Sequence, residues 1–276
     1  MTDHLTTVER DGILELTFNR PEKRNAISDE MWDEMRKAVH TFGSRRELRV
    51  MLIGARGAFF SAGSDLNPNT VPDFRGSTLD GRNWFRNKWH TLFDELESIE
   101  KPIVAAHQGP CLGSALEMSL SCDFRLAARS ARYGLPEIGF GALPGSGGIS
   151  RLTRVAGPHW TRWLVMAGEQ VSADEAVTMG IIHAVYPDEE FASRVRAFCA
   201  RLAALPYEAL GLAKLAIDLT TDLDRTQARA MEGIANSILF TGEEQKELFK
   251  AMLARLAAKR RPHGSGNEGS GEEPGA

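Results

Sequence analysis

Two carboxylates stand alone in otherwise uncharged stretches of the chain. From Pro102 to Cys122 (PIVAAHQGPCLGSALEMSLSC) the only Asp, Glu, Lys or Arg is Glu117, and from Tyr133 to Ser150 (YGLPEIGFGALPGSGGIS) it is Glu137. An ionised carboxylate in apolar surroundings loses its hydration, which is costly unless a partner or a raised pKa compensates. A sequence shaped by folding alone avoids such placements. Two of them close together point to acid/base chemistry; the alternative for each is a helix cap or an ion pair with a core arginine.

The elements around Glu117 are legible. Pro102–His107 reads as a short buried strand, an apolar run entered by Pro and ended by Gln108-Gly109-Pro110. A helix follows, with Leu112, Ala115, Leu116, Ser119 and Leu120 spaced for one buried face and Met118 on another, the pattern of an interior helix. Gly113-Ser114 forms its first turn. There the unpaired amides and the positive end of the helix dipole can receive a developing negative charge, with Glu117 about one turn further in. A second corner, Phe59–Leu66 (FFSAGSDL), follows the apolar strand Val50–Gly54. Its Ala62-Gly63-Ser64 turn lets another amide approach a ligand, the second donor that a carbonyl oxygen needs.

In order along the chain, Asn19-Arg20-Pro21 with Asn25-Ala26, Ser61-Ala62-Gly63-Ser64-Asp65-Leu66, Lys101-Pro102 through Cys122-Asp123, and Leu135-Pro136-Glu137 with Pro144–Gly148 resemble the crotonase (enoyl-CoA hydratase/isomerase) superfamily over about residues 5–261. The resemblance implies an α/β fold, a layered ββα spiral core with a C-terminal helical oligomerisation region, and a reaction on acyl-CoA thioesters. It implies that the N–H groups of Ser64 and Ser114 form an oxyanion hole, with Ala62, Gly63, Asp65, Leu66 and Gly113 at the substrate. Glu117 and Glu137 are then the acid/base pair of a hydratase. The family often has Ala at the position of Ser64 and Gly-Gly at Ser114-Ala115; backbone donation survives both changes. No separate cofactor and no metal are implied, since coenzyme A belongs to the substrate.

The chain has 276 residues, 42% hydrophobic and 25% charged, enough to bury one large core. Its net charge of −4 gives no electrostatic footprint for nucleic acid or an anionic membrane. Three cysteines without a C-x-x-C pair suggest no disulfide framework and fit a reducing cytoplasm. The N-terminal MTDHLTTVERDG lacks the apolar run of a signal peptide, and the longest uncharged stretch is broken at Gln108-Gly109-Pro110, so no membrane span is expected.

Alternation around Asp11-Gly12 predicts a hairpin of Leu5–Glu9 with Ile13–Asn19. Ser28 then caps a helix that carries Met31, Met35, Ala38, Val39 and Phe42 inward. Lys23 and Arg24, just before it, are either a solvated basic turn or a contact for a CoA phosphate. Residues 67–81, with two prolines and two glycines, are expected to form a mobile loop. Trp84, Phe85, Trp89, Leu92, Phe93 and Leu96 follow at helical spacing, as core or as acyl-chain lining. Asp123–Ala128 and Ala131–Gly134 are further strands, and alternation with helices indicates parallel pairing. Gly145–Gly148 fits neither common nucleotide motif and is expected to seat the segment carrying Glu137.

Ser172 and Glu175 have the spacing of a capping box. After Ile181–Tyr186 strand signals cease, and helices are expected over 189–205, 207–219, 225–240 and from Thr241, as the cap, toward Arg261. This divides the chain into an α/β core (1–205), a helical region (206–261) and a disordered tail (262–276). Ile234, Ile238, Leu239, Phe240, Leu248, Phe249, Met252 and Leu256 are more apolar surface than so few helices bury, so self-association as a homotrimer or hexamer is expected. Lys259, Arg260 and Arg261 complement the last helix's dipole or contact the phosphate end of CoA.

Neither H-E-x-x-H nor G-x-S-x-G occurs, so metal and serine hydrolysis are unsupported. Two carboxylates suit the addition of water to an enoyl thioester, whereas double-bond isomerisation needs only one base with the oxyanion hole. A different class remains open, a non-catalytic CoA-binding or scaffold protein with RNA as its partner; the acidic balance and both isolated glutamates argue against it.

Overall fold

The computed structural model describes residues 3–66 and 77–259, without the side chains of 258 and 259. Five parallel-paired strands form the backbone of the larger sheet: β2 (Ile13–Phe18), β3 (Val50–Ala55), β4 (Ile103–His107), β6 (Phe124–Ala128) and β9 (Ala184–Tyr186). The expected hairpin adds β1 (Leu5–Arg10) antiparallel at one edge, turning at Asp11 and Gly12, both with positive φ. A second sheet orders β5 (Cys111–Leu112), β7 (Arg132–Gly134) and β8 (Val171–Ser172). Its short strands bring the segments before Glu117 and before Glu137 side by side, Cys111 facing Tyr133 and Leu112 facing Gly134.

The larger sheet is buried on both faces because its strands are apolar at successive positions. Leu14, Leu16, Met51, Ile53, Ile103 and Ala105 join the main core, and Ile13, Val50, Val104 and Ala106 join a second cluster built with α7 (Asp188–Ala203). The assignment alternates along each strand, as the two-residue period requires. On the main side lie α1 (Asp29–Ser44), α3 (Thr91–Ser98) and α4 (Ser114–Leu120). Ser28 caps α1 as its sequence predicts, accepting from the Met31 amide. At the other end the buried Lys101 ammonium donates to the carbonyls of Phe42 and Arg45, which complements the helix dipole.

The expected loop over 67–81 ends earlier than Gly81. Ser77 accepts from the Asp80 amide and opens α2 (Thr78–Phe85), which runs through a π turn (Arg86–His90) into α3; residues 67–76 lie outside the described ones. In this stretch Trp89, Leu92, Phe93 and Leu96 are core residues, with Trp84 and Phe85 half-buried against them. Downstream come α5 (Gly148–Val165), α6 (Ala173–Thr178) and α8 (Tyr207–Thr220). The capping box is present at α6, Ser172 and Glu175 satisfying each other's amides.

The chain divides into two compact units between Asp218 and Leu219. In the first, α8 is held by Lys214, whose ammonium pairs with Asp123 at 3.1 Å. The second contains α9 (Arg225–Thr241), capped by Asp224, and α10 (Glu243–Lys259). Thr241 does not cap α10: it is the last residue of α9, and its hydroxyl donates to the Ile238 carbonyl at 2.7 Å. Within this unit Ile234, Ile238, Phe240, Leu248, Phe249, Met252 and Leu256 are exposed. Arg260, Arg261 and the tail expected over 262–276 lie outside the described residues.

Candidate active site

Gly113 starts the site. Its φ of 56° and ψ of −133° are accessible to glycine and strained for any other residue, and they turn the chain from β5 directly into α4. The amides of Leu116 and Glu117 then bond back to the Gly113 carbonyl, leaving the Ser114 amide without an acceptor among the described residues. All seven residues of α4 are buried, as its apolar sequence predicts. Its far end is closed by the buried Arg125 guanidinium, which donates to the carbonyls of Ser119, Cys122 and Ile181.

Glu117 is 3% exposed. Its Oε1 accepts from the amides of Ser146 at 2.8 Å and Gly148 at 3.0 Å. The turn over 145–148, expected to seat the segment carrying Glu137, thus seats Glu117 through two of its amides. A Cβ on Gly148 would stand 2.6 Å from that oxygen, which explains why the position is glycine. Arg151 holds the turn from behind, donating to the Ser146 carbonyl at 2.9 Å and to Glu97 through two nitrogens at 2.7 and 2.8 Å. Burial pushes the Glu117 carboxyl up to about 7, with the Glu137 charge adding to the rise and the two amides and Arg151 opposing it.

Glu137 comes from a 3-10 turn (Pro136–Phe140) that follows β7. Its Oε1 lies 3.0 Å from where a Cβ on Gly113 would stand, so the carboxylate faces the start of α4. Its Oε2 is buried and has no hydrogen-bond partner among the described residues, and burial raises its pKa as well. A buried acceptor is normally paired. A buried bridge runs from α4 through β4 to β7: Ser119 Oγ meets His107 Nε2 at 2.9 Å, and His107 Nδ1 meets the Tyr133 hydroxyl at 3.1 Å. Burial holds the His107 imidazole down to about 3, so it is neutral and spaces the two elements without taking up charge.

The other corner approaches Gly113 from β3. Gly63, at φ 96°, lies so close that an added Cβ would be 3.3 Å from the Ser114 nitrogen. Like that of Ser114, the Ser64 amide has no acceptor among the described residues. Asn25, fully buried, shapes this corner by donating to the carbonyls of Arg56 and Phe59 and accepting from the Arg20 amide. Arg20 in turn pairs with Asp65 at 2.6 Å. Two uncommitted amides beside one buried and one half-buried carboxylate can stabilise a carbonyl oxygen while protons move at neighbouring atoms.

The sequence profile of the enoyl-CoA hydratase/isomerase family matches residues 8–265. The chain belongs to that family. It is 32% identical over 250 residues to the short-chain-enoyl-CoA hydratase of Clostridium acetobutylicum, covering 90% of this chain and 94% of the relative. It is 31% identical to the crotonyl-CoA hydratase of Syntrophomonas wolfei, covering 93% and 97%. The fold is that of a solved enoyl-CoA hydratase subunit from Geobacillus kaustophilus, with a TM-score of 0.83, 31% identity and coverage of 96% and 98%. The crotonase resemblance read from the motifs thus holds over nearly the whole chain.

In this enoyl-CoA hydratase/isomerase family member Gly63 closes on Ser114, Gly113 on Glu137 and Ser64 on Ser114, with Glu117 one turn further along α4, whereas the Ala62 amide is bonded to the Arg24 carbonyl. Asp65, next to Ser64, has its carboxylate engaged by Arg20, and Leu66 is exposed. Lys23 and Arg24 form an exposed basic turn, Arg24 with its guanidinium over the Phe59 ring. Lys259 ends α10 in the second unit, and its side chain lies outside the described residues. Arg20, Arg151, His107, Ser146 and Gly148 are supporting residues to which the sequence assigns no role at the site, although Arg151 reads there as an exposed or paired position. Arg20 lies in a quoted motif and Arg151 next to one, but their partners are 45 and 54 residues away.

Proposed function

We propose that this chain is an enoyl-CoA hydratase, adding water across the 2,3 double bond of a 2-enoyl-CoA to give the 3-hydroxyacyl-CoA. The observation that carries this reading is a pair of glutamates at the start of α4, Glu117 buried and seated by two amides and Glu137 half-buried with an unpaired buried oxygen. Relatives named as hydratases at 31–32% identity support it. In this reaction the thioester oxygen accepts from the Ser64 and Ser114 amides, which polarises the double bond. Glu117, whose ionised form is favoured by the Ser146 and Gly148 amides, takes a proton from water as the oxygen bonds to C3. Charge collects on the thioester oxygen, and Glu137 delivers a proton to C2. No separate cofactor takes part, because the CoA moiety arrives with the substrate.

Absorbance of crotonyl-CoA at its conjugated thioester band tests this directly. Loss of absorbance on adding the protein is expected. Appearance of the band from a 3-enoyl-CoA, with no loss from the 2-enoyl form, makes the protein an isomerase; CoA binding without either change leaves a non-catalytic binding protein.

Lys23 and Arg24, an exposed basic turn, are assigned to a CoA phosphate, and Lys259, at the end of α10, to the 3′-phosphate or adenine end of a CoA held by a neighbouring subunit. Self-association as a homotrimer or hexamer is part of the same proposal, supported by the exposed apolar residues of α9 and α10. A monomer by light scattering at micromolar concentration would remove it. A cytoplasmic location is supported by three buried, unlinked cysteines; among the described residues no helix is long and apolar enough to cross a membrane.

A further inference from the structure

The corner that carries Ser64 changes partners within four residues. Ser61 is still bound to β5, its amide donating to the Pro110 carbonyl and its carbonyl accepting from Leu112. From Ala62 onward the bonds go elsewhere: Ala62 donates to Arg24, Gly63 accepts from Ile27, and Asp65 donates to Ile27. Among the described residues no backbone hydrogen bond joins 62–66 to 113–117. One side-chain bond spans that gap, Ser64 Oγ to Ser114 Oγ at 2.9 Å. It links the two residues whose amides are uncommitted, and it is part-buried, with Ser114 at 7% exposure and Ser64 half-buried.

We propose that the Ser64–Ser114 hydroxyl pair is a brace that sets the spacing of the two oxyanion donors, so that both serines are positioning residues through their side chains as well as donors through their amides. This rests on the oxyanion assignment above and deepens it. Backbone bonds tie the two walls at Ser61 and Cys111–Leu112 but not at the donors themselves, where Ser114 belongs to α4 and Ser64 to the bridge with Ile27. Two donors stabilise one oxygen well only if both lie within hydrogen-bond distance of it at once, and small misplacement is costly to rate. A hydroxyl pair costs no charge and fits between two walls that a bulkier link would push apart.

The test reads the carbonyl stretch of bound [1-13C]butyryl-CoA, which reports polarisation whether or not the protein turns over, beside kcat for crotonyl-CoA. Wild type, Ser64→Ala, Ser114→Ala, the double variant and Ser64→Thr are compared. Each alanine variant is expected to lose part of the downshift and about five- to tenfold in kcat, in the range of one net hydrogen bond, with the Kd of butyryl-CoA within twofold. The double variant should match either single one, because any of the three removes the same bond. Ser64→Thr keeps a hydroxyl and should restore both signals. Additive losses, or wild-type downshift in both single variants, overturn the brace. A wild-type protein that polarises the carbonyl without hydrating crotonyl-CoA overturns the hydratase reading alone, and one that gives no downshift overturns the brace together with the oxyanion assignment.

Discussion

Ser146 donates its backbone N–H to Glu117 Oε1 at 2.8 Å, across 29 residues of chain. With the Gly148 amide on the same oxygen, the carboxylate is held by one end in a fixed orientation. The seat favours the ionised form, yet burial outweighs it and leaves the group titrating near neutrality. An acid placed so is poised to exchange a proton at the pH of a cell, and the fold bears the cost of that placement.

That cost is measurable as a function of pH. The folded Glu117 carboxyl titrates at about 7 against an ordinary 4.5, so the folded state holds a proton that the unfolded state has released between those values. Stability therefore falls as pH rises through this window, by about 3 kcal/mol in all at 1.36 kcal/mol per unit. Glu117→Gln, which keeps the amide bonds and never ionises, is expected to gain stability over wild type on going from pH 4.5 to pH 8. Urea unfolding at the two pH values checks this; an equal difference at both would mean that Glu117 is not buried as a charge. The same variant should lose at least ~10²-fold in kcat.

Glu137→Gln separates the roles of the two acids. It should also reduce hydration by at least ~10²-fold while leaving the Kd of a saturated acyl-CoA nearly unchanged. If Glu117→Gln abolishes hydration but spares conversion of a 3-enoyl-CoA to the 2-enoyl form, Glu137 is the proton carrier at C2. Wild-type hydration rates in both variants would falsify the two-acid mechanism.

Arg151 acts on Glu117 through the Ser146 carbonyl and through its charge, which lowers the Glu117 pKa. Arg151→Ala is expected to move the acidic limb of the kcat/KM profile to higher pH and to lower kcat, since the turn loses its anchor. Arg151→Lys should recover much of the pH shift and less of the rate, because an ammonium supplies the charge without the planar fork that bonds Glu97. A limb that does not move in Arg151→Ala would make the arginine a structural tie only.

For the CoA assignment, Lys259→Ala should raise KM for a CoA ester and spare the same acyl group on pantetheine. Equal effects on the two substrates would place Lys259 outside the binding surface.

The parts legible in the sequence are those whose cause is local. Isolation of Glu117 and Glu137 shows in composition, and the Ser172–Glu175 capping box spans one turn. Gly113 is readable as a helix start because of what surrounds it. The seat of Glu117 is hidden because its donors are backbone amides, which every residue except proline carries. The Ser64–Ser114 bond is hidden for another reason: 50 residues separate two common side chains. Thr241 misleads because its hydroxyl has two local options, and bonding back to Ile238 within α9 wins over capping α10.

The seven-residue helix α4 has no solvent-facing side, and its ends are closed by Gly113 and Arg125. Such a segment cannot fray into water by itself, because any opening also uncovers the sheet and the helices around it. Backbone amides of Glu117 to Leu120 should then exchange with deuterium only through global unfolding, at a rate set by the whole molecule's stability. Helix α4 has no partly open form to visit, so on heating, the Glu117 arm of the site and the core packed around it should be lost at one temperature.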